Sequence, residues 1–340
     1  MQSQAGDRTN RGASDHGHLV AESNLLDALS ADDRLRLLSV GRVRIAEAGE
    51  EVVRQGTRGD CLFVVTDGEL AVVRCLPGGE EQVLSTAGPE MVLGEVAALD
   101  RGVRSATLRA TRRSVLHEIG LRAFEAVTLY GDDAGYRILR AVAVSMHERL
   151  TRTRRTAITL KAPNTVFPPV GSELRWSTPD PEAVSVLGLL PTFEGMDARD
   201  WKKILPFISV AQVERRESLV LPEALGANDV VIVLRGALSP WLDDTHGPDV
   251  TMPVTGPGGF VEYAGVLGVT SEPQRSRARS ATRLLRLDSS LFAPGSAFAA
   301  RLLYALSQNL ATTLRRSTAL SVHFRMAWAQ DRAAGFPGLH

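Results

Sequence analysis

The stretch that decides the fold runs from Gly88 to Ala110 and reads GPEMVLGEVAALDRGVRSATLRA. GEVAAL is a short helix opened by Gly94, a residue that permits a tight turn and a close backbone approach. Free N–H groups at a helix start attract an anion. Glu95 stands there as an acceptor suited to a sugar hydroxyl, with Val96 and Ala97 in the same turn. DRGV then turns the chain, and Arg104 opens a strand that continues through Ser105, Ala106 and Thr107. A guanidinium forks onto phosphate oxygens, and the two hydroxyls add donors beside it. Nine residues separate Glu95 from Arg104, so a helix-turn-strand hook brings both to one pocket. One negative charge and one sugar hydroxyl on the same ligand match that pair.

The chain contains this pattern's frame twice. Shifted by 168 residues, it matches itself without a gap from about residue 49 to 124: Gly68 falls on Gly236, Leu70 on Leu238, Leu99 on Leu267, Ala110 on Ala278 and Phe124 on Phe292. Downstream the offset becomes 164, with Leu139 on Leu303 and Leu150 on Leu314, so four residues are deleted there. Self-similarity of this kind signals a repeated structural unit. A length of 340 residues suits two domains, and 44% hydrophobic with 23% charged residues is the composition of a globular protein.

Each copy reads as an opening helix (22–39 and 194–206), many short strands, and a closing helix (134–155 and 298–316). The strand segments, CLFVVTDGELAVVRCL among them, are rich in β-branched residues and punctuated by glycine turns. Such a pattern predicts a mainly β fold with flanking helices, a jelly-roll-like β-roll in each copy. Residues 161–182 hold five prolines and no helical period, which marks an extended linker. The expected division is a disordered tail over 1–20, a first domain over 21–155, a linker over 156–185, a second domain over 186–320 and a C-terminal tail over 321–340.

Residues 94–107 resemble the phosphate-binding cassette of the cyclic nucleotide-binding domain family, roughly G-E-[LV]-A-[LA]-[LI]-x4-R-[SAT]-A-[TS]. Upstream, GEEVVRQGTRGDCLFVVTDGEL carries the family's G-E, Q-G, G-D and x-G-x-[LV] landmarks. The resemblance is strong over about residues 22–155. It implies tandem β-roll domains, cAMP or another cyclic nucleotide as ligand, Gly94 and Glu95 at the ribose, and Arg104 at the phosphate. Ser105 becomes a further phosphate or base contact, with Val96, Ala97, Ala106 and Thr107 completing the cassette. It also implies a cytoplasmic, bacterial-type regulatory protein that signals to a protein partner when the ligand moves a helix. A ligand-free scaffold built from the same folds is the alternative.

The second copy departs where the chemistry lies. The same offset puts Glu262 at Gly94, Tyr263 at Glu95, Glu272 at Arg104 and Pro273 at Ser105. Carboxylates without a guanidinium repel a phosphate. A three-residue insertion gives a second register, which recruits Arg275 followed by Ser276. The gapless register makes the second copy a degenerate domain kept for structure or partner contact.

Lys and Arg total 39 and Asp and Glu also 39, a zero balance that disfavours broad polyanion binding. The Arg275, Arg277 and Arg279 row reads as a solvated strand face or a partner-docking stripe. Neither the linker nor the residues after Arg316 offer room for a winged helix-turn-helix, which disfavours direct nucleic-acid recognition. The sequence shows no nucleophile elbow, phosphate loop, metal-ligand spacing or membrane-length apolar run, so neither an enzyme, a metal nor a membrane is expected. Cys61 and Cys75 lie in apolar runs and are expected to be buried thiols. Leu139, Val142, Met146 and Leu150 recur at helical spacing, as do Leu303, Leu306, Leu310 and Leu314. Self-complementary symmetry favours a homodimer through these terminal helices. The tether between the copies also permits them to pair within one chain.

Overall fold

The computed structural model describes residues 25–76, 78–130, 132–159, 174–193, 196–221, 228–240, 253–270 and 274–333. The first repeat opens with a 3-10 turn at Leu25–Ala28 and then α1 (Ala31–Ser39). The single opening helix expected over 22–39 is thus two elements. Ser30 divides them: it is extended, and its hydroxyl accepts the Asp33 N–H at 3.2 Å as a fresh N-cap.

Eight strands follow: β1 (Arg42–Ala46), β2 (Glu51–Val53), β3 (Cys61–Asp67), β4 (Leu70–Cys75), β5 (Glu81–Ala87), β6 (Val92–Leu93), β7 (Thr107–Ala110) and β8 (Ser114–Gly120). Between β6 and β7 sits α2 (Glu95–Leu99), and after β8 come α3 (Leu121–Thr128) and α4 (Asp133–Thr159). The strands form two antiparallel sheets, ordered β1-β8-β3-β6 and β2-β7-β4-β5. β3 is buried on both faces: Phe63 and Val65 pack between the sheets, while Leu62 and Val64 pack under the helices. That is why CLFVV is a continuous apolar run rather than an alternating one.

The second repeat contains α5 (Pro181–Leu187), α6 (Ala198–Ile204), β9 (Ile208–Val213), β10 (Ser218–Leu221), β11 (Val230–Arg235), β12 (Leu238–Pro240), β13 (Phe260–Glu262), α7 (Ala264–Leu267), β14 (Gln274–Ala278), β15 (Thr282–Leu287) and α8 (Ala297–Ala333). Its described strands pair as β13-β11-β15-β9 and β10-β14-β12. The 168-residue offset is present in the strand register itself. Val64 opposes His117 as Ile232 opposes Leu285, and Leu70 opposes Ala110 as Leu238 opposes Ala278. The architecture is therefore mainly β, two β-rolls with flanking helices.

The two closing helices meet along a seam within one chain. Leu139, Val142, Met146 and Leu150 of α4 and Leu303, Leu306, Leu310 and Leu314 of α8 are all at most 3% exposed in one core cluster. That cluster runs through both repeats, while each sandwich also keeps its own core. Polar bonds cross the same boundary: Tyr136 Oη donates to the Phe292 carbonyl, and Arg140 to the Leu267 carbonyl. This corrects the expected homodimer through the terminal helices, because each stripe is spent on the other helix of its own chain.

Several boundaries move for local reasons. α4 continues to Thr159 and α5 starts at Pro181, so both ends of the expected 156–185 linker are helical. α8 continues to Ala333, into the span read as a tail, since neither proline nor glycine interrupts it. The 1–20 tail and the centre of the linker lie outside the described residues. Cys61 is buried as expected, but Cys75 is exposed, because it ends β4 at a hairpin. Among the described residues, no helix is long and apolar enough to cross a membrane.

Two stability outcomes follow. Met146→Ala empties a fully buried position in the seam and lowers stability by about 2–5 kcal/mol, read as a lower urea midpoint; an unchanged midpoint refutes the packed seam. Asp33, 1% exposed, receives Arg137 Nε and Nη2 at 2.7 and 2.9 Å and ties α1 to α4. The Arg137 hydrogen bonds hold its carboxyl below the ordinary 3.8, against an opposing effect of burial. A depressed pKa gives stability that is present above the unfolded value and lost as pH falls through the folded one. The melting temperature of Asp33→Asn is therefore lower than the native one at neutral pH and falls less steeply below about pH 4.

Candidate ligand-binding site

The hook between β6 and β7 is built on glycine. Gly94 caps α2 at φ +80°, and a Cβ there would lie 2.4 Å from Arg104 Nη1. Arg104 lies folded back into this space, only 4% exposed. Its Nη1 donates to the Gly94 carbonyl at 3.0 Å and its Nη2 to Cys61 Sγ at 3.1 Å, and its Cζ is 5.7 Å from the Phe63 ring centre. Its Nε is buried with no partner. A buried guanidinium N–H without an acceptor is costly and marks a place where an acceptor belongs.

The loop before β3 fixes the Arg104 backbone. Arg104 N donates to the Thr57 carbonyl at 2.7 Å, Gly56 N to the Arg104 carbonyl at 2.9 Å, and Gly59 N to the Gly102 carbonyl at 3.0 Å. These bonds explain the Q-G and G-D landmarks: the loop is the seat of the hook. A cavity of about 430 Å³ opens beside Arg104 and Cys61, with Arg44, Arg58, Asp60 and Glu118 in its wall. Burial pushes the Cys61 thiol up, and the Arg104 charge opposes that shift.

Glu95 does not line this cavity. It is 4% exposed and ion-paired with Arg149 of α4. The hook thus brings Arg104 against the Gly94 backbone, while the neighbouring carboxylate is held by the closing helix. Arg149 was missed by sequence reasoning. Its signal is an arginine three residues after Met146 and seven after Val142, within the buried stripe's spacing.

The other cassette residues take different places. Val96 joins the helical core, and Ala97 packs against Gly59, where a Cβ would meet its own at 2.5 Å. Ser105 is exposed and Ala106 buried. Thr107 is buried, and its hydroxyl oxygen accepts the Gln55 N–H at 3.0 Å. Its expected donor role is thus joined to a structural one in the 54–57 loop. α2 has five residues, so the positive charge of the hook rests mainly on Arg104 rather than on a helix dipole.

In the second repeat Glu262 and Tyr263 stand at the positions of Gly94 and Glu95. Glu262 Oε1 accepts the N–H groups of Tyr263 and Ala264, both at 2.9 Å, where an anion would otherwise meet the backbone. The Tyr263 ring is buried, its hydroxyl lies 3.4 Å from His147 Nδ1 of α4, and burial pushes its pKa up to about 12, with Arg154 opposing. Glu272 and Pro273 lie outside the described residues. The Leu238–Ala278 pairing keeps the gapless register and leaves Arg275 inside β14, opposite Val220, rather than at the hook. Among the described residues, no group of three or more His, Cys, Asp or Glu side chains is placed to hold a metal.

A β-roll whose glycine-bearing hook carries one buried arginine defines a class of small-ligand recognition domain. Residues 43–129, within this first repeat, match the model of the cyclic nucleotide-binding domain. Glutaminase 1 of Bradyrhizobium diazoefficiens is 33% identical over 131 residues, which are 38% of this chain and 21% of that one. The cyclic AMP receptor protein of Thermus thermophilus is 32% identical over 94 residues, 28% of this chain and 44% of that one. The chain thus spans less than half the length of either relative. Among solved structures, the Thermus thermophilus catabolite activator protein is 28% identical, covers 40% of this chain and 61% of its own, and superposes with a TM-score of 0.35.

Gly94→Ala tests the geometry directly. The new methyl group displaces Arg104 and strains a left-handed residue, costing about 1 kcal/mol or more. A lowered melting temperature is expected; a native value would refute the close packing.

Proposed function

We propose that the chain is a cytoplasmic receptor for a cAMP-class cyclic nucleotide and that it regulates a separate protein. The observation that carries this reading is the buried Arg104 guanidinium, whose Nε faces no acceptor while its two other nitrogens hold only a carbonyl and a thiol. A cyclic phosphate supplies the missing acceptor as a charge-assisted bond. Gly94 admits it, and Ser105 with the Val96, Ala97, Ala106 and Thr107 segment closes around it. The ribose hydroxyl competes with Arg149 for Glu95. Loss of that ion pair frees the C-terminal half of α4, and this is the movement a partner protein reads.

The receptor acts without a metal, a membrane or direct nucleic-acid contact in this reading, and it is a regulator rather than an enzyme. The match to a glutaminase covers 21% of that protein and carries no activity over. The scaffold alternative applies to the second repeat, which Glu262 and Tyr263 favour as a structural copy without ligand.

Calorimetry of the full chain with cAMP and with cGMP tests the reading. One nucleotide per chain is expected, and Arg104→Ala weakens it at least tenfold, about 1.5–3 kcal/mol, without unfolding the domain. Absence of heat with both nucleotides, or native affinity in Arg104→Ala, overturns it. A stoichiometry near two overturns the assignment of the second repeat.

A further inference from the structure

We propose that Arg315, on the helix that closes the second repeat, is a positioning residue for the nucleotide site of the first. This inference rests on the functional reading above for its ligand, and on geometry alone for its contact. Arg315 Nη2 donates to Asp100 Oδ1 at 2.8 Å, its Nε to Asp100 Oδ2, and its Nη1 to the Val103 carbonyl. Asp100 and Val103 are the two arms of the turn that delivers Arg104. The Asp100 carboxylate also accepts the Gly102 N–H at 2.9 Å, and its side chain is 5% exposed. One guanidinium from another domain therefore closes the turn from outside, while the 56–59 loop holds it from inside.

A Cβ at Gly102 would stand 2.8 Å from both Arg315 Nη2 and Asp100 Oδ1. The turn is shaped to admit the guanidinium. Two further residues of α8 bear on the same hook, one directly and one through Glu125 of α3. Gln308 Nε2 donates to the Leu99 carbonyl at 3.3 Å, and Tyr304 Oη donates to Glu125 Oε1 at 2.6 Å, the carboxylate that pairs with Arg101. Positions 304, 308 and 315 share one helix face.

The second hook is met by a different pair. Across the approximate two-fold axis, α4 touches the second hook through Arg140 and the Leu267 carbonyl, the counterpart of the Leu99 contact. The residue of α4 that matches Arg315 at the 164 offset is Thr151, which cannot fork onto a carboxylate. The Arg315–Asp100 pair is thus not repeated at the matching positions, since Asp100 itself falls on Gly268. A turn already held in place spares the ligand the entropy of ordering it.

The test uses the full chain. Arg315→Ala weakens cAMP or cGMP binding about tenfold, Arg315→Lys recovers part of the loss because it lacks the fork, and Gly102→Ala weakens binding in the same direction. Arg140→Ala removes an inter-repeat bond at the other hook and leaves affinity within about twofold. Hydrogen exchange without nucleotide gives an independent readout: amides 99–104 exchange faster in Arg315→Ala and not in Arg140→Ala. Unchanged or tighter binding in Arg315→Ala, equal effects of the Arg315 and Arg140 variants, or unaltered exchange overturns the proposal. If Arg315→Ala fails to fold, Gly102→Ala carries the same comparison. If the native chain binds neither nucleotide, the functional reading falls, and exchange alone decides whether Arg315 holds the hook.

Discussion

The rest of the structure depends on the seam between α4 and α8. Each β-roll has its own core between its sheets, but the outer face of each first sheet must still be covered. The closing helices do this on one side and meet each other on the opposite side, so Met146 and Leu306 belong to the same cluster as Leu62 and Ile232. Each fully buried aliphatic side chain in such a seam contributes about 1.5–3 kcal/mol. Separating the repeats would expose two apolar stripes at once.

That seam also arranges the charges. The hook of the first repeat lies where both long helices pass, with Arg149 reaching Glu95 from α4 and Arg315 reaching Asp100 from α8. Both carboxylates are nearly excluded from water, where an ion pair must be well formed to repay its desolvation. Arg104 completes the set, with its guanidinium lodged where Gly94 leaves room. Two arginines from the long helices and one from the loop itself thus meet around this short hook.

Much of this was readable in the sequence because it is local or repeated. The hook is a contiguous pattern, and the repeat is visible because paired strands preserve their register, as Leu70 with Ala110 and Leu238 with Ala278 show. What was not readable lies far apart along the chain. Arg149 is 54 residues from Glu95 and Arg315 is 215 from Asp100, and no local periodicity connects such positions. The pairing of the helices was ambiguous for a different reason. An apolar stripe fits another copy of itself as readily as its pseudo-symmetric twin, and the fold resolves the choice by bringing the twin alongside. Cys75 shows the same limit at small scale, since an apolar run does not reveal where its strand meets solvent.

The internal seam has a consequence for how such a protein behaves at low abundance. Two separate subunits that meet through their helices come apart on dilution, so the shape of their binding site varies with how many copies a cell makes. Here the second helix is carried on the same polypeptide, and its local concentration is set by the connecting chain and not by expression level. The geometry around Arg104 is then the same in a cell holding a handful of molecules as in one holding thousands. Through Arg315, the last helix of the second repeat reaches the turn of the first in every molecule, whatever the number of copies.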